Sequence, residues 1–324
     1  MCYNISMKKS TILYTVIPCY NESECLSKTT ELLSQKIHDL ISKKQISEKS
    51  RIVYIDDGSK DNTWSIIQKL GKNHPQIIGI KLSRNFGHQN ALLAGLMYAK
   101  DHCDAAISMD ADLQDDINAI DKFIEKFNNS AEIVYGVRSE RKKDSSFKKH
   151  SALLFYKIMN KLGANTVYNH ADYRLMSKRA LEELSKFQEV NLFLRGIVPT
   201  IGLKTATVKY SRAERFAGES KYPLKKMINF AVDGITSFSI KPIRLIFLLG
   251  IIVSFISFII LCYAVIVKLI GQAVSGWTFT ICSIWLLGGV QMIALGIIGE
   301  YIGKIYSEVK HRPRYTIEEI SSSQ

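Results

Sequence analysis

Two long stretches of this chain carry no charged side chain at all, and both lie near the C-terminus. Leu245 to Val267 runs for 23 residues, rich in Ile, Leu, Phe and Val, and Trp277 to Ile298 for 22. At 1.5 Å rise per residue the first would extend about 35 Å as a helix, enough to cross a hydrocarbon core of ~30 Å. Core helices of that length almost always carry charge on a solvent side, so the two runs predict a two-helix transmembrane hairpin over 245–298. The turn between them, Lys268 to Gly276, holds one positive charge. Lys221, Lys225, Lys226, Lys241 and Arg244 precede the first run, and Lys304, Lys310, His311, Arg312 and Arg314 follow the second. This bias predicts a multi-pass protein of the cytoplasmic (inner) membrane, with the N-terminal domain and the tail both on the cytoplasmic face.

The predicted organisation is a cytoplasmic domain over 1–221, a juxtamembrane amphipathic segment over 222–244, the hairpin, and a cytoplasmic tail over 299–324. Ser151 to Leu162 and Tyr222 to Ile240 are amphipathic enough to lie in the membrane interface, or equally to be packed core helices. A net charge of +13 implies an anionic partner. The apolar C-terminal region turns that expectation toward lipid and phosphate and away from nucleic acid. Six scattered cysteines form no C-x-x-C pair and no zinc spacing, which predicts a reducing compartment without a disulfide framework. The start of the chain is polar and offers no secretory leader.

The first half alternates short β-branched runs with helical stretches. Strands are predicted at Thr11–Pro18, Ile52–Ile55, Ile77–Leu82, Ala105–Met109 and Ile133–Val137. Helices are predicted at Ser23–Ser42, Asp61–Lys72 and His88–Lys100. Such alternation predicts an α/β domain built on a doubly wound, mainly parallel sheet. Ligands of such sheets bind beyond the carboxyl ends of the strands. The polar clusters Tyr20-Asn21-Glu22, Asp56-Asp57-Gly58, Ser83-Arg84-Asn85 and Asp110-Ala111-Asp112 all follow strand ends, so they should converge on one edge.

Asp110 and Asp112 offer two hard oxygen ligands on one turn, suited to Mg²⁺ or Mn²⁺ with phosphate oxygens completing the shell; otherwise one caps a helix and the other is solvated. Asp56 to Ser59 could accept hydrogen bonds from a base or ribose, or form an ordinary Asx turn. Asn85 to His88 could donate to a nucleotide or serve only as the turn that opens a helix. Arg138, Arg141, Lys142 and Lys143 form one basic cluster and Arg212, Arg215 and Lys221 a second. Arginine can hold a phosphate in a fork, although attraction to anionic lipid accounts for such clusters too. Asp172 is a further acidic candidate, with a buried ion pair to Arg174 as the plainer alternative. Neither G-x-x-x-x-G-K-[ST] nor G-x-G-x-x-G nor G-x-S-x-G occurs, which argues against ATPase, dehydrogenase and serine-hydrolase chemistry.

In chain order the motifs are Pro18-Cys19-Tyr20-Asn21-Glu22, Asp56-Asp57-Gly58-Ser59-x-Asp61-x-Thr63, Arg84-Asn85-Phe86-Gly87-His88-Gln89 and Asp110-Ala111-Asp112-Leu113-Gln114-Asp115. Together they resemble family 2 glycosyltransferases of the GT-A fold. Asp172-Tyr173-Arg174-Leu175-Met176, the run from Arg212 to Tyr222 and Gly299-Glu300-Tyr301-Ile302-Gly303 narrow the likeness. They resemble bacterial polyprenyl-phosphate glycosyltransferases with two C-terminal spans, bactoprenol glucosyltransferase-like relatives of dolichyl-phosphate mannose synthase. The resemblance runs from about Thr11 to Tyr315. It implies metal-dependent, inverting transfer from a nucleotide-sugar, UDP-glucose or UDP-N-acetylglucosamine, to polyprenyl phosphate. By the same resemblance Pro18, Tyr20, Asn21, Glu22, Asp57, Asn85 and Gly87 would hold the donor. Asp110, Ala111, Asp112 and Gln114 would organise the metal and the donor diphosphate. Arg138, Arg215, Ser220 and Lys221 would hold the lipid phosphate, and Asp172 would act as base or orienter. Asp116-Ile117 stand where relatives usually carry two prolines, which removes a rigid turn but no ligand. Ala171 stands where glycine is common. A processive polysaccharide synthase and a non-catalytic nucleotide-sugar-binding subunit are the alternatives; the first lacks its Q-x-x-R-W segment here. Self-association is left open by the sequence.

Overall fold

The structure, a computed structural model, describes residues 10–138, 170–211, 241–270 and 276–322. It divides into two compact units, one of residues 1–153, 166–222 and 313–324 and the other of 154–165 and 223–312.

The first unit is built on β1 (Leu13–Cys19), β2 (Arg51–Asp56), β3 (Ile77–Leu82), β4 (Ala105–Ser108), β5 (Ile133–Arg138), β6 (His170–Ser177), β7 (Thr205–Tyr210) and β8 (Ile317–Ser322). They form one sheet in the order β7-β5-β6-β4-β1-β2-β3-β8. Every residue of β1 is buried, as a central strand covered on both faces requires. The side chains divide by alternation. Ile17 and Tyr54 join the cluster with Leu26, Leu33 and Ile37 of α1 (Leu26–Ser42) and Ile67 of α2 (Thr63–Asn73). Val16 and Ile55 face the other way, onto α3 (His88–Lys100). A Cβ on Gly95 of α3 would lie 2.5 Å from side-chain atoms of both, so this helix sits unusually low on the sheet. The burial of Leu26, Thr29, Thr30, Leu33, Ile37 and Leu40 follows the helical period that puts one stripe of α1 on the core. Helix α4 (Ala119–Asn128) contributes to the same core cluster from its place against β5, β6 and β7, while α5 (Lys178–Ser185) and α6 (Leu194–Thr200) follow β6.

The α/β layering holds, but the sheet is mixed where a mainly parallel one was expected. Four neighbouring pairs are parallel, β1–β2, β1–β4, β2–β3 and β5–β7. Three are antiparallel, β3–β8, β4–β6 and β5–β6. The reversal of β6 matters for the site. It brings the beginning of β6 to the edge where the parallel strands end, with Ser108 opposite Arg174. The tail also departs from expectation, because Ile317–Ser322 closes the sheet as β8. It is held further by Gln68 to Glu319 at 3.1 Å, Lys81 to Glu318 at 3.0 Å and Arg314 to the Phe187 carbonyl at 2.7 Å.

The second unit contains α7 (Lys241–Leu269) and α8 (Trp277–Val309). Among the described residues no helix is long and apolar enough to cross a membrane, and to that extent the expected hairpin over 245–298 is not supported. In sequence, α7 contains the first charge-free run and α8 the second. Their described apolar side chains point outward: Phe247 keeps 71%, Phe255 66% and Met292 70% of its surface exposed. A helix in water buries such a stripe.

Deleting residues 316–324 should strip the edge from β3 and uncover Ile78 and Ile80. We expect the thermal midpoint of the first unit to fall by roughly 5–10 °C, following the scaling for a domain of this size. An unchanged midpoint would show that β8 is dispensable.

Candidate active site

The edge at which β1, β2, β3 and β4 end collects the polar loops, and their side chains mostly bond to one another. Asn21, in the left-handed region at φ 54°, donates its N–H to Ser59 Oγ at 3.0 Å and accepts from the Lys60 N–H at 2.8 Å. Glu22 N–H donates to Thr63 Oγ1 at 2.9 Å, and the Glu22 carbonyl receives the Cys25 and Leu26 N–H groups that open α1. The Tyr20 ring is left exposed beside this lacing. Asp61 accepts from the N–H groups of Ser23 and Thr63, so it joins the two turns and caps α2 at once.

Both carboxylate oxygens of Asp57 are engaged by the neighbouring loop. Its Oδ1 accepts from Phe86 N–H at 2.7 Å and its Oδ2 from Gly87 N–H at 3.0 Å. Burial pushes this carboxyl up, and those two bonds pull it back. The expected donor residue therefore shapes the Asn85–His88 loop. Gly58 makes that contact feasible. It sits at φ +67°, and a Cβ there would meet the Arg84 carbonyl carbon at 2.5 Å and the Asn85 nitrogen at 2.6 Å. At the same loop Ser83 N–H donates to the Thr316 carbonyl at 3.0 Å, Arg84 stacks 4.0 Å over the Phe86 ring, and Gly87 at φ +89° opens α3. Asn85 is exposed at the tip.

Residues 110–116 form a second constrained loop. The Ala111 carbonyl accepts from the buried Thr29 hydroxyl at 2.8 Å, and Asp112 Oδ1 accepts from Gln114 N–H at 3.2 Å. Between them Leu113 stands at φ 58°, a conformation that costs a bulky residue of order 1–3 kcal/mol. The missing prolines are replaced by side-chain ties. Asp116 Oδ1 accepts from Asn118 N–H at 2.9 Å in an Asx turn, and the Asp116 carbonyl accepts from the Tyr173 hydroxyl at 3.0 Å. Asp115 accepts from the Tyr210 hydroxyl at 2.6 Å. Burial, then the neighbouring Asp110, push the Asp115 carboxyl up to about 6.

Asp172, at the start of the reversed strand β6, meets this loop. His88 Nε2 lies 3.7 Å from Asp110 Oδ1 and 3.8 Å from Asp172 Oδ2, so one imidazole bridges both carboxylates. Arg174 Nη2 donates to Asp172 Oδ1 at 2.5 Å, and Arg195 donates from Nε at 3.2 Å and from Nη2 at 2.9 Å. Burial opposes ionisation of Asp172, but Arg195 and Arg174 outweigh it and hold the carboxyl well below the usual carboxylate range. The ion pair to Arg174 raised from sequence is present, joined by a second arginine. Asp110 is shifted the other way. Burial pushes it up, Asp172 and Asp112 add to the rise, and His88 opposes it. Two carboxylates with excess negative charge around them fit a divalent cation, which usually takes one or two protein carboxylates and completes its shell with phosphate and water. Among the described residues no group of three or more His, Cys, Asp or Glu side chains is gathered as a metal site.

Arg138 ends β5, opposite Tyr210 of β7, and its Nε lies 3.4 Å from the Tyr210 hydroxyl. Arg215, Ser220 and Lys221 lie outside the described residues, as do Arg141, Lys142, Lys143, Arg212 and both amphipathic segments. Arg195, Tyr173 and Tyr210 were not singled out from sequence. Arg195 carried a usable signal, being the one charge within the otherwise apolar Phe193-Leu194-Arg195-Gly196-Ile197-Val198.

Replacing Gly58 with alanine should force the Asp56–Gly58 turn away from Arg84 and Asn85. The strain of a positive φ and the overlap together amount to about 2–4 kcal/mol. A lower thermal midpoint and weaker nucleotide binding are expected, and wild-type values for both would refute the close-approach account.

Comparison with known proteins fits this geometry. The model of glycosyl transferase family 2 matches residues 14–185. An uncharacterised glycosyltransferase of Bacillus subtilis, YkoT, is 54% identical over 96% of this chain and 93% of its own length. The bactoprenol glucosyl transferase of Shigella phage SfV is 41% identical over 94% of this chain and 97% of its own. Among solved structures, glucosyl-3-phosphoglycerate synthase from Mycobacterium tuberculosis in complex with Mn²⁺ and UDP-glucose covers 70% of this chain and 77% of that one. Its 16% identity and TM-score of 0.45 are too loose a likeness to rest any residue role on. The family match and the two relatives suffice without it: this chain belongs to glycosyl transferase family 2.

Proposed function

We propose that this glycosyltransferase moves a sugar from a nucleotide-sugar, UDP-glucose or UDP-N-acetylglucosamine, onto polyprenyl phosphate with inversion. The product is a lipid-linked monosaccharide for cell-envelope glycosylation. One observation carries the reading: the Asp110/Asp112 turn and Arg138 stand at the same sheet edge, where the two carboxylates would hold a divalent cation and the guanidinium a phosphate. The printed name of the phage relative agrees with it.

Charge conservation tells what the reaction needs. A phosphate monoester is largely a dianion near neutral pH, its second pKa being about 6. One of its oxygens attacks the anomeric carbon, the bond from that carbon to the β-phosphate oxygen breaks, and the pair of electrons leaves with the nucleoside diphosphate. One negative charge thus travels from the acceptor to the leaving group, and no proton has to move. Held by Asp110 and Asp112, Mg²⁺ or Mn²⁺ would neutralise the charge developing on the diphosphate. Gln114, beside them, would help hold the donor. Tyr20 presents its exposed ring at the neighbouring turn for the nucleotide, and the Pro18–Glu22, Asp57, Asn85 and Gly87 loops shape that pocket. Arg138, with Arg215, Ser220 and Lys221 from the adjoining segment, would hold the acceptor phosphate. Asp172, clamped by two arginines, serves as an orienting group, since a carboxylate so stabilised is a poor proton acceptor.

We place α7 and α8 across the cytoplasmic membrane as a hairpin, with the catalytic unit and the tail on the cytoplasmic face. The charge-free runs, the outward apolar side chains and the distribution of Lys and Arg support that placement.

The decisive assay follows labelled sugar from the nucleotide into an organic-extractable lipid in membranes bearing the full chain. Label in that phase supports the proposal, and label in a polymer overturns it. Asp112→Asn should abolish divalent-cation-dependent transfer, by at least about 100-fold, while membrane insertion persists; full activity would refute the metal assignment. Arg138→Ala and Arg215→Ala should each raise the KM for the lipid about 10-fold or more, with little change in that for the nucleotide-sugar. The reverse pattern would refute their placement.

A further inference from the structure

Asp172 is held by more positive charge than one carboxylate needs. Arg174 is almost wholly buried, with 1% of its side chain exposed, and binds Asp172 Oδ1 while also donating to the Leu194 carbonyl at 3.3 Å. That single arginine would neutralise the carboxylate. Arg195 adds a second guanidinium from the first turn of α6, docked edge-on through both Nε and Nη2, yet it keeps 30% of its side chain exposed. Two arginines crowded onto one carboxylate repel each other, and Arg195 indeed makes the charged form of Arg174 less favourable. Holding both brings a repulsion that a single arginine would not incur.

The position of Arg195 suggests what the surplus charge is for. Its field reaches Asp110 on one side, where it favours the carboxylate, and Arg138 on the other, where it opposes the guanidinium. Its anchor Asp172 and the Asp110 carboxylate lie 3.8 Å and 3.7 Å from His88 Nε2, so Arg195 stands beside the Asp110/Asp112 turn. A fork docked on a carboxylate by one edge keeps its plane fixed, and a planar guanidinium so fixed is the geometry that grips phosphate oxygens.

We propose that Arg195 is a phosphate-binding residue of this site and that Asp172 is the positioning residue that aims it. The inference rests on the proposed transfer to a lipid phosphate and deepens it. The shared chemistry is a phosphate oxyanion, supplied either by the acceptor monoester or by the donor diphosphate. Asp172 then contributes by holding the guanidinium and by its contact with His88, and takes up no proton during transfer.

The experiment uses the full chain in detergent with a labelled nucleotide-sugar, farnesyl phosphate as acceptor and Mn²⁺. Arg195→Ala should lower kcat/KM by about 10- to 100-fold, the range for losing a charge-assisted phosphate contact. A rise confined to the KM for farnesyl phosphate assigns the contact to the acceptor, and a rise confined to that for the nucleotide-sugar assigns it to the donor. Added guanidinium should restore part of the Arg195→Ala activity, and Arg195→Lys, which keeps the charge but loses the fork, should fall between the two. Arg195→Lys also carries the test if the alanine variant does not fold. Asp172→Asn should cost no more once Arg195 is already alanine, because both changes remove the same aimed group, while Asp172→Glu should recover activity. Multiplying losses in the double variant would overturn the positioning role. Equilibrium binding of farnesyl phosphate and of UDP, measured without turnover, separates this inference from the reaction proposed above. Weaker binding of either by Arg195→Ala supports it even where no sugar is transferred, and equal binding of both by wild type and variant overturns it.

Discussion

Three carboxylates cannot share a partly dehydrated sheet edge unless cations offset them. How this chain supplies those cations governs the rest of its site. At an effective dielectric near 20, two like charges 4 Å apart repel by about 4 kcal/mol. Asp172 is relieved from within the protein, by Arg174 and Arg195, and stays ionised. Asp110 has the imidazole of His88 3.7 Å away and feels Arg195 more weakly, and burial pushes it toward its protonated form. The two acids are thus in different electrostatic states, and the proposed role of the Asp110/Asp112 turn in holding a divalent ion with phosphate rests on that difference.

The scaffold makes this possible through strand direction. Four parallel strands deliver their following loops to one edge, and the reversed β6 delivers its beginning to the same place. The loops there are then fixed by each other's side chains. Asp57 holds the Phe86 and Gly87 amides, Thr29 holds Ala111, and Tyr173 and Tyr210 hold the segment where relatives carry two prolines. Strain at Leu113 is tolerated because Asp112 and Gln114 close the turn around it. Rigid loops suit a reaction in which charge moves but no proton does, since fixed dipoles need no reorganisation when the charge shifts.

Much of this was legible from local pattern. Ile77–Leu82 and His88–Lys100 coincide with their sequence-derived bounds, because β-branched runs and a glycine-opened helix are local signals. The convergence of the clusters at one edge followed from parallel topology alone. Long-range partners were not legible. Asp57 reads as a ligand residue, and its bonds to amides 29 and 30 positions away are not visible in the sequence. Nothing within Ile317–Ser322 distinguishes a tail from an edge strand, since its partner β3 lies far back in the sequence. Arg195 was visible as an isolated charge, but its role depends on a carboxylate 23 residues earlier that only folding brings near.

The central claim is that the acceptor is an ionised phosphate, so that sugar transfer requires no base. Proton release per sugar transferred, followed in weakly buffered solution near pH 8 with the full chain, reads this directly. A phosphate acceptor exchanges one charge for another and should release no proton, whereas a hydroxyl acceptor must release one for each bond formed. Absence of proton release alongside measurable transfer is the predicted result, and one proton per turnover would contradict the account.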